Sequence, residues 1–244
     1  VLRRPDPPFF VALAAAVVLL ASAFFTAGGG SIAGSPPSED DGMDYLALGD
    51  SYTIGEGVAE DGRWPVQLAR TLRAGGIELD DPRIIATTGW TTDELSQAMD
   101  AAEPLGTHDF VTLLIGVNNQ YRERSEAEYR GDFHDLLKRA IALAGGRNDR
   151  VMVLSIPDWG VTPFAIAQGR DPAKIARELD AYNAIAEELS ERLGVAFVDI
   201  TGISRERGAE KAMLVEDGLH PSAAMYELWM REALPVAERL LGEH

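Results

Sequence analysis

Four short stretches carry the residue types that acyl transfer needs: Gly49-Asp50-Ser51-Tyr52, Thr88-Gly89-Trp90, Gly116-Val117-Asn118-Asn119 and Asp217-Gly218-Leu219-His220-Pro221. A serine hydroxyl becomes a useful nucleophile when a neighbouring base takes its proton, and His220 is such a base. Asp217, three residues earlier across a glycine, can hold the imidazole by its other nitrogen. The oxyanion that develops needs donors aimed at it, and three are at hand: the bare backbone N–H of Gly89, the side-chain amide of Asn118 and the N–H of Ser51 itself. Each stretch alone has a plainer reading. A serine at a strand end is usually a turn or cap residue, Gly89 a turn glycine, Asn118 a turn asparagine, and Asp-x-x-His a helix cap beside a surface histidine. The joint pattern points to chemistry because all four stretches fall, in order, at expected strand ends or helix starts.

Those ends follow from hydrophobic patterning. Tyr45 to Leu48, Arg83 to Ala86, Phe110 to Ile115, Val151 to Ile156 and Val195 to Ile200 are short apolar runs that stop at Gly, Pro, Asp or Thr. Continuous apolarity, without alternation, predicts strands buried on both faces of a parallel sheet. Amphipathic segments lie between them. Trp64 to Ala74 stops at Gly75-Gly76, and Thr91-Thr92-Asp93-Glu94 reads as a capping box. Ser125 opens a helix that ends at Gly145-Gly146. Asp171-Pro172 caps one running to Leu193, and Pro221-Ser222 begins the last, through Leu241. Strands alternating with helices predict an α/β fold: a three-layer α/β/α sandwich, doubly wound, around a five-stranded parallel sheet. In the flavodoxin-like order 2-1-3-4-5, strand 1 lies between strands 2 and 3, which flanks Ser51 with Gly89 and Asn118 at the carboxyl edge. The stretch from Asp199 to His220 is long enough to carry the histidine back over strand 1.

The four stretches closely resemble the sequence blocks of the SGNH hydrolases, also called the GDSL esterase/lipase family. Gly49-Asp50-Ser51 is similar to the first block, Gly89 to the second, Gly116-x-Asn118 to the third and Asp217-x-x-His220 to the last; the resemblance spans Tyr45 to Leu241. It implies a serine nucleophile at Ser51, a histidine base at His220, and an oxyanion hole from the Ser51 and Gly89 backbones and the Asn118 amide. It also implies an ester substrate and no cofactor. One departure is Asn119, where the family often has Asp; the oxyanion asparagine is untouched, so the difference bears on local hydrogen bonding.

Other residues at the same edge are candidates for substrate-pocket walls: Tyr52, Trp90 and Tyr121 after the first three motifs, and Asp158 and Trp159 after strand 4. Packing on the scaffold is an equal alternative for each aromatic. His134 sits on a helix beside Asp135, His108 precedes strand 3 and His244 is the last residue given; with no His-x-x-x-His and no dense carboxylate cluster, no metal is expected.

Composition narrows the partners. The 22 basic and 39 acidic side chains give a net charge of −17, which repels phosphate backbones and argues against nucleic acid. With 46% hydrophobic and 25% charged residues the chain is globular in character. It has no cysteine, which excludes disulfides, thiolate nucleophiles and a lipid-modified cysteine. No repeat recurs at periods of roughly 20–50 residues. Arg3 and Arg4 precede an apolar run from Phe9 to Ala27, broken only by Ser22 and Thr26. Its length is close to the ~20 residues that span a bilayer as a helix. Residues 1–27 are therefore expected to be a signal peptide, with Ala21-Ser22-Ala23 as a cleavage site, or an uncleaved N-terminal membrane anchor. Residues 28–43, rich in Gly, Ser, Pro and acid, read as a flexible linker, and 44–244 as the folded domain. The arginines stay inside, so the domain is expected outside the cytoplasmic membrane, secreted or tethered, with membrane contact only through residues 9–27 if that run is kept.

Three other readings compete with an exported serine esterase. The loop Ser51 to Gly57 has the hydroxyls and glycines of a phosphate cradle, as in flavin binders, but Asp50 and Glu56 put negative charge there and no lysine is present. A non-catalytic exported binding module is opposed by all four positions being filled. An acyltransferase would use the same site and is separated from a hydrolase by product analysis.

Overall fold

A computed structural model describes residues 42–242. The apolar run at 9–27 and the linker as far as residue 41 lie outside the described residues. Met43, expected as the last linker residue, already forms a parallel bridge with Leu79, so ordered structure starts just ahead of the first strand.

Five parallel strands form the sheet: β1 (Tyr45–Gly49), β2 (Arg83–Ala86), β3 (Phe110–Leu114), β4 (Val151–Leu154) and β5 (Ala196–Val198). Their order is β2-β1-β3-β4-β5, as the patterning predicts. Every residue of β1, β3 and β4 is buried, whereas the edge strands β2 and β5 are partly exposed. That is the physical reason the central strands read as unbroken apolar runs.

The helices are α1 (Ser51–Ile54), α2 (Trp64–Ala74), α3 (Thr92–Ala101), α4 (Val117–Tyr121), α5 (Glu126–Leu143), α6 (Pro163–Ala167), α7 (Pro172–Leu193), α8 (Thr201–Arg207) and α9 (Ala223–Leu241). Right-handed crossovers place α2, with α9 against it, on one face, and α3, α5 and α7 on the other. Local chemistry sets their ends. Thr91 and Glu94 form the expected capping box of α3. The side chains of Ser125, Asp171 and Ser222 cap α5, α7 and α9. Gly194 closes α7 in the left-handed conformation. The short helices α1 and α4 are too brief for a periodic pattern to announce them. Both begin directly at a strand's carboxyl end, and both carry a candidate site residue.

Candidate active site

Sheet register assembles the site. Gly49, at the end of β1, pairs with Ala86 of β2 on one side and Leu114 of β3 on the other. Ser51 follows two residues beyond that level, Gly89 three beyond and Asn118 four beyond, on strands spaced about 4.8 Å apart. The crossovers diverge to opposite faces here, leaving the crevice in which doubly wound folds bind ligands.

Ser51 is the first residue of α1 and is 4% exposed. At that position its N–H has no partner within the helix, so it is free to face a developing charge. Asp50 caps the helix: its Oδ1 accepts the Tyr52 N–H at 3.0 Å. The Asp50 carboxyl is wholly buried, and loss of solvent pushes its pKa up to about 7. The amides of Tyr52, Gly116 and Asp50 itself oppose that rise; the Gly116 N–H faces the carboxyl without reaching full hydrogen-bond geometry, leaving Oδ2 without a bond. The Tyr52 amide is thus taken, and a phosphate cradle after β1 loses one of its donors.

His220, the candidate base, lies on a self-contained turn. Asp217 Oδ1 accepts the backbone N–H groups of Leu219 and His220 at 2.8 and 2.9 Å, and its Oδ2 meets His220 Nδ1 at 2.5 Å. Val215 donates to the His220 carbonyl at 2.9 Å, and Leu214 pairs with Pro221 in an antiparallel bridge. Desolvation works against the Asp217 carboxylate, but the bonds from the His220 ring and from the His220 and Leu219 amides outweigh it and hold its pKa below the ordinary range. With Nδ1 engaged, the His220 ring has Nε2 left for a substrate proton. The ring is 12% exposed. It stands edge-on to Tyr52, with centroids 6.0 Å apart, and Tyr52 in turn meets Trp229 of α9 at 5.8 Å. The residue after Ser51 is therefore the ring on which the histidine turn rests.

Beyond the ends of β2 and β3, two loops meet. Gly89 has φ +91°, a conformation that side chains rarely adopt, and its carbonyl accepts Arg122 Nη2 at 2.7 Å. Asn118 Nδ2 donates to the Trp90 carbonyl at 2.9 Å, which leaves its second amide hydrogen for a ligand. Asn119 explains its own departure from the family pattern. Fully buried, it accepts the Thr92 N–H at 3.0 Å and donates to Thr92 Oγ1 at 2.7 Å. It pins α4 to the start of α3. Gly116, just before α4, has φ +131°, and a Cβ there would lie 2.7 Å from the Tyr129 ring.

The expected pocket residues divide. Tyr52, Asp158 and Trp159 are buried and engaged within the fold, yet all three also line a small cavity beside Leu219 and Pro221 of the histidine turn. Asp158 pairs with Arg205 at 2.9 Å and accepts the Gly160 N–H, and the Trp159 indole donates to Gln120 at 2.8 Å. Trp90 and Tyr121 are half-buried and remain at the rim; Arg170 lies over the Tyr121 ring at 4.9 Å. His108 is buried against the Leu105 carbonyl, and His134 is half-buried beside Asp135. Sequence reasoning missed Arg122 and the Asn119–Thr92 clamp. Glu94 signalled only its local cap, while its bond to Arg122 joins residues 28 apart in sequence.

Solved structures share this architecture. A psychrotrophic esterase from Pseudoalteromonas sp., inhibited by monoethylphosphonate, has a TM-score of 0.64 at 15% identity, covering 82% of this chain and 100% of its own. An acetylxylan esterase from Geobacillus stearothermophilus has a TM-score of 0.60 at 20% identity, covering 83% and 95%. A phospholipase A1 from Streptomyces albidoflavus has a TM-score of 0.57 at 22% identity, covering 81% and 99%. At such identities the likeness shows the fold. No curated protein matches the chain by sequence. The GDSL-like lipase/acylhydrolase family model, however, matches residues 47–228, from the middle of β1 well into α9, and the protein therefore belongs to that family of carboxylic ester hydrolases, the SGNH hydrolases.

Proposed function

We propose that this chain is an exported serine esterase that cleaves carboxylic esters through an acyl-enzyme on Ser51. The observation that carries the reading is the Asp217–His220 pair seated on Tyr52, one residue from Ser51, across from the Gly89 and Asn118 donors. His220 Nε2 takes the Ser51 hydroxyl proton as Oγ bonds to the ester carbonyl carbon. The carbonyl oxygen becomes an anion and is met by the N–H groups of Ser51 and Gly89 and by the free Asn118 amide hydrogen. Collapse breaks the bond to the alcohol, which leaves with the proton held by His220. Water then attacks the acyl-enzyme carbonyl and gives a proton to His220, which passes it to Ser51 Oγ as the bond to the acyl group breaks and the acid leaves. Asp217 keeps the ring oriented and offsets the charge it gains.

Ester substrates follow from the family. The fold neighbours named above act on an acetylated glycan and on a phospholipid, so lipid, acetylated-sugar and small acyl esters all belong in the substrate class to be tried. A panel of p-nitrophenyl esters from acetyl to long-chain, run beside acetylated glycans, tests the activity. Labelling by an organophosphonate should require both Ser51 and His220. Full labelling of Ser51→Ala would overturn the assignment.

Export rests on the apolar run from Phe9 to Ala27 behind Arg3 and Arg4, which leaves the domain outside the cytoplasmic membrane. Removal of residues 1–27 should keep activity while abolishing export. Insolubility or inactivity of that shortened chain would make the run part of the fold.

A further inference from the structure

We propose that Arg122 is a positioning residue for the oxyanion hole, holding the Gly89 loop and the Asn118 helix at a fixed separation. The proposal rests on the reading of Ser51, Gly89 and Asn118 as the reacting site.

Gly89 has no side chain with which to anchor itself, and a Cβ built there would find only Arg122 Nη2, at 4.0 Å. The turn that presents it, Thr87 to Trp90, closes with a long backbone bond of 3.3 Å. The shorter restraint is the charge-assisted bond from Arg122 to the Gly89 carbonyl at 2.7 Å. Arg122 in turn is tied to the other donor, since its own N–H bonds the Asn118 carbonyl at 3.0 Å. Its second guanidinium arm reaches Glu94 Oε1 at 3.1 Å, and the other oxygen of Glu94 is fixed by the Thr91 N–H at 2.9 Å. Asn118 completes the ring through the Trp90 carbonyl. One planar fork thus joins the carbonyl of one oxyanion donor to the helix bearing the next. A lysine could satisfy only one arm at a time.

This role is separable from a stabilising one. The Arg122 and Glu94 side chains are 43% and 36% exposed, so their ion pair contributes little to folding. The donors, by contrast, must meet an oxygen within tenths of an ångström, and a misplacement of about 1 Å can cost on the order of 100-fold in rate.

The test compares Arg122→Ala, Arg122→Lys, Asn118→Ala and the Asn118→Ala/Arg122→Ala double variant in the full chain, by p-nitrophenyl ester turnover, phosphonate labelling rate and Tm. Arg122→Ala is expected to lower kcat by about 10- to 100-fold, with KM within about twofold. Labelling should slow in the same proportion, because the phosphoryl oxygen sits where the oxyanion forms, and Tm should shift by no more than about 2 °C. Arg122→Lys should recover part of the loss. In the Asn118→Ala background the further cost should shrink, since one of the two donors being spaced is gone. An unchanged kcat, or a loss fully additive with Asn118→Ala and matched by a fall in Tm, overturns the proposal. If Ser51→Ala stays active, the site reading itself fails; if Ser51→Ala is dead and Asn118→Ala impaired while Arg122→Ala is unaffected, only the role of Arg122 falls.

Discussion

The two sides of the candidate active site are built in opposite ways. The base side is a turn that holds itself together: every hydrogen bond of the Asp217 carboxylate comes from a residue two or three positions away. The oxyanion side is held by bonds between residues 27 to 33 apart, from Asn118 to Trp90, Asn119 to Thr92 and Arg122 to Gly89. The aspartates on the two sides repeat the contrast. Asp50, fully buried one residue before Ser51, is pushed up to about 7 by that burial. Asp217, half-exposed, is held below the usual carboxylate range by the donors of its own turn. A site can therefore draw rigidity from the sheet on one side and from local turn chemistry on the other. Perturbing the buried Asn119 clamp on the first side should disturb the fold, whereas its exposed Arg122 restraint and the second side should register mainly in the reaction.

The largest effects test the point where the two sides meet. Ser51→Ala and His220→Ala should each bring kcat close to background, and the double variant should be little worse than either, because the pair acts as one unit. Steady-state turnover measures this, and multiplicative losses would separate the two residues. Next come the flanking groups. Asn118→Ala should cost about 10²–10³ in kcat, as loss of one oxyanion donor does. Asp217→Asn should also lower kcat, with only a small fall in Tm, since its carboxylate is half-exposed and its bonds stay within one turn. A fall in Tm larger than that of Asn119→Ala would break the contrast between the two sides.

The buried aspartate should show itself in stability against pH. For Asp50 the folded protein holds its proton more tightly than the unfolded chain, whose carboxyl titrates at about 3.9. Between that value and about 7, stability contributed at this residue falls as pH rises, then levels off. Asp50→Asn keeps an oxygen for the Tyr52 N–H and removes the titration. The stability difference, variant minus parent, should grow by up to about 4 kcal/mol from pH 4 to pH 8 in denaturant titrations. A difference that does not change with pH would mean that Asp50 ionises as freely as in the unfolded chain. Asp217 has the opposite sign: its contribution is present above the ordinary carboxylate range and lost as pH falls through its lowered pKa. Asp217 therefore stays charged, and paired with the His220 ring, under mildly acid conditions.

The smallest effect sharpens the reading of the oxyanion side. Asn119→Ala strips the buried Thr92 N–H of its acceptor and should destabilise the protein by about 1–3 kcal/mol, with a smaller change in kcat than Asn118→Ala. Chemical denaturation beside turnover separates the two quantities.

The sequence by itself determined the strands, the caps and the four motifs, because these depend on neighbours a few residues away. Buried central strands need unbroken apolar runs, the starts of α3, α5, α7 and α9 carry Thr, Ser or Asp caps, and Asp217 and His220 meet across one turn. The order of the sheet followed from the alternation of strands and helices together with the handedness of crossovers. Tertiary structure alone decided which polar groups answer one another across the crevice. No local pattern marks Arg122 as the partner of Gly89, Asn119 as the clamp on Thr92, or Tyr52 as the ring beneath the histidine turn. These roles arise because parallel pairing sets Gly49, Ala86 and Leu114 at one level, and so brings together loops that the chain keeps about thirty residues apart. The burial that shifts Asp50 has the same origin: an acid after an apolar strand looks like any turn residue until the neighbouring strands and α9 close over it.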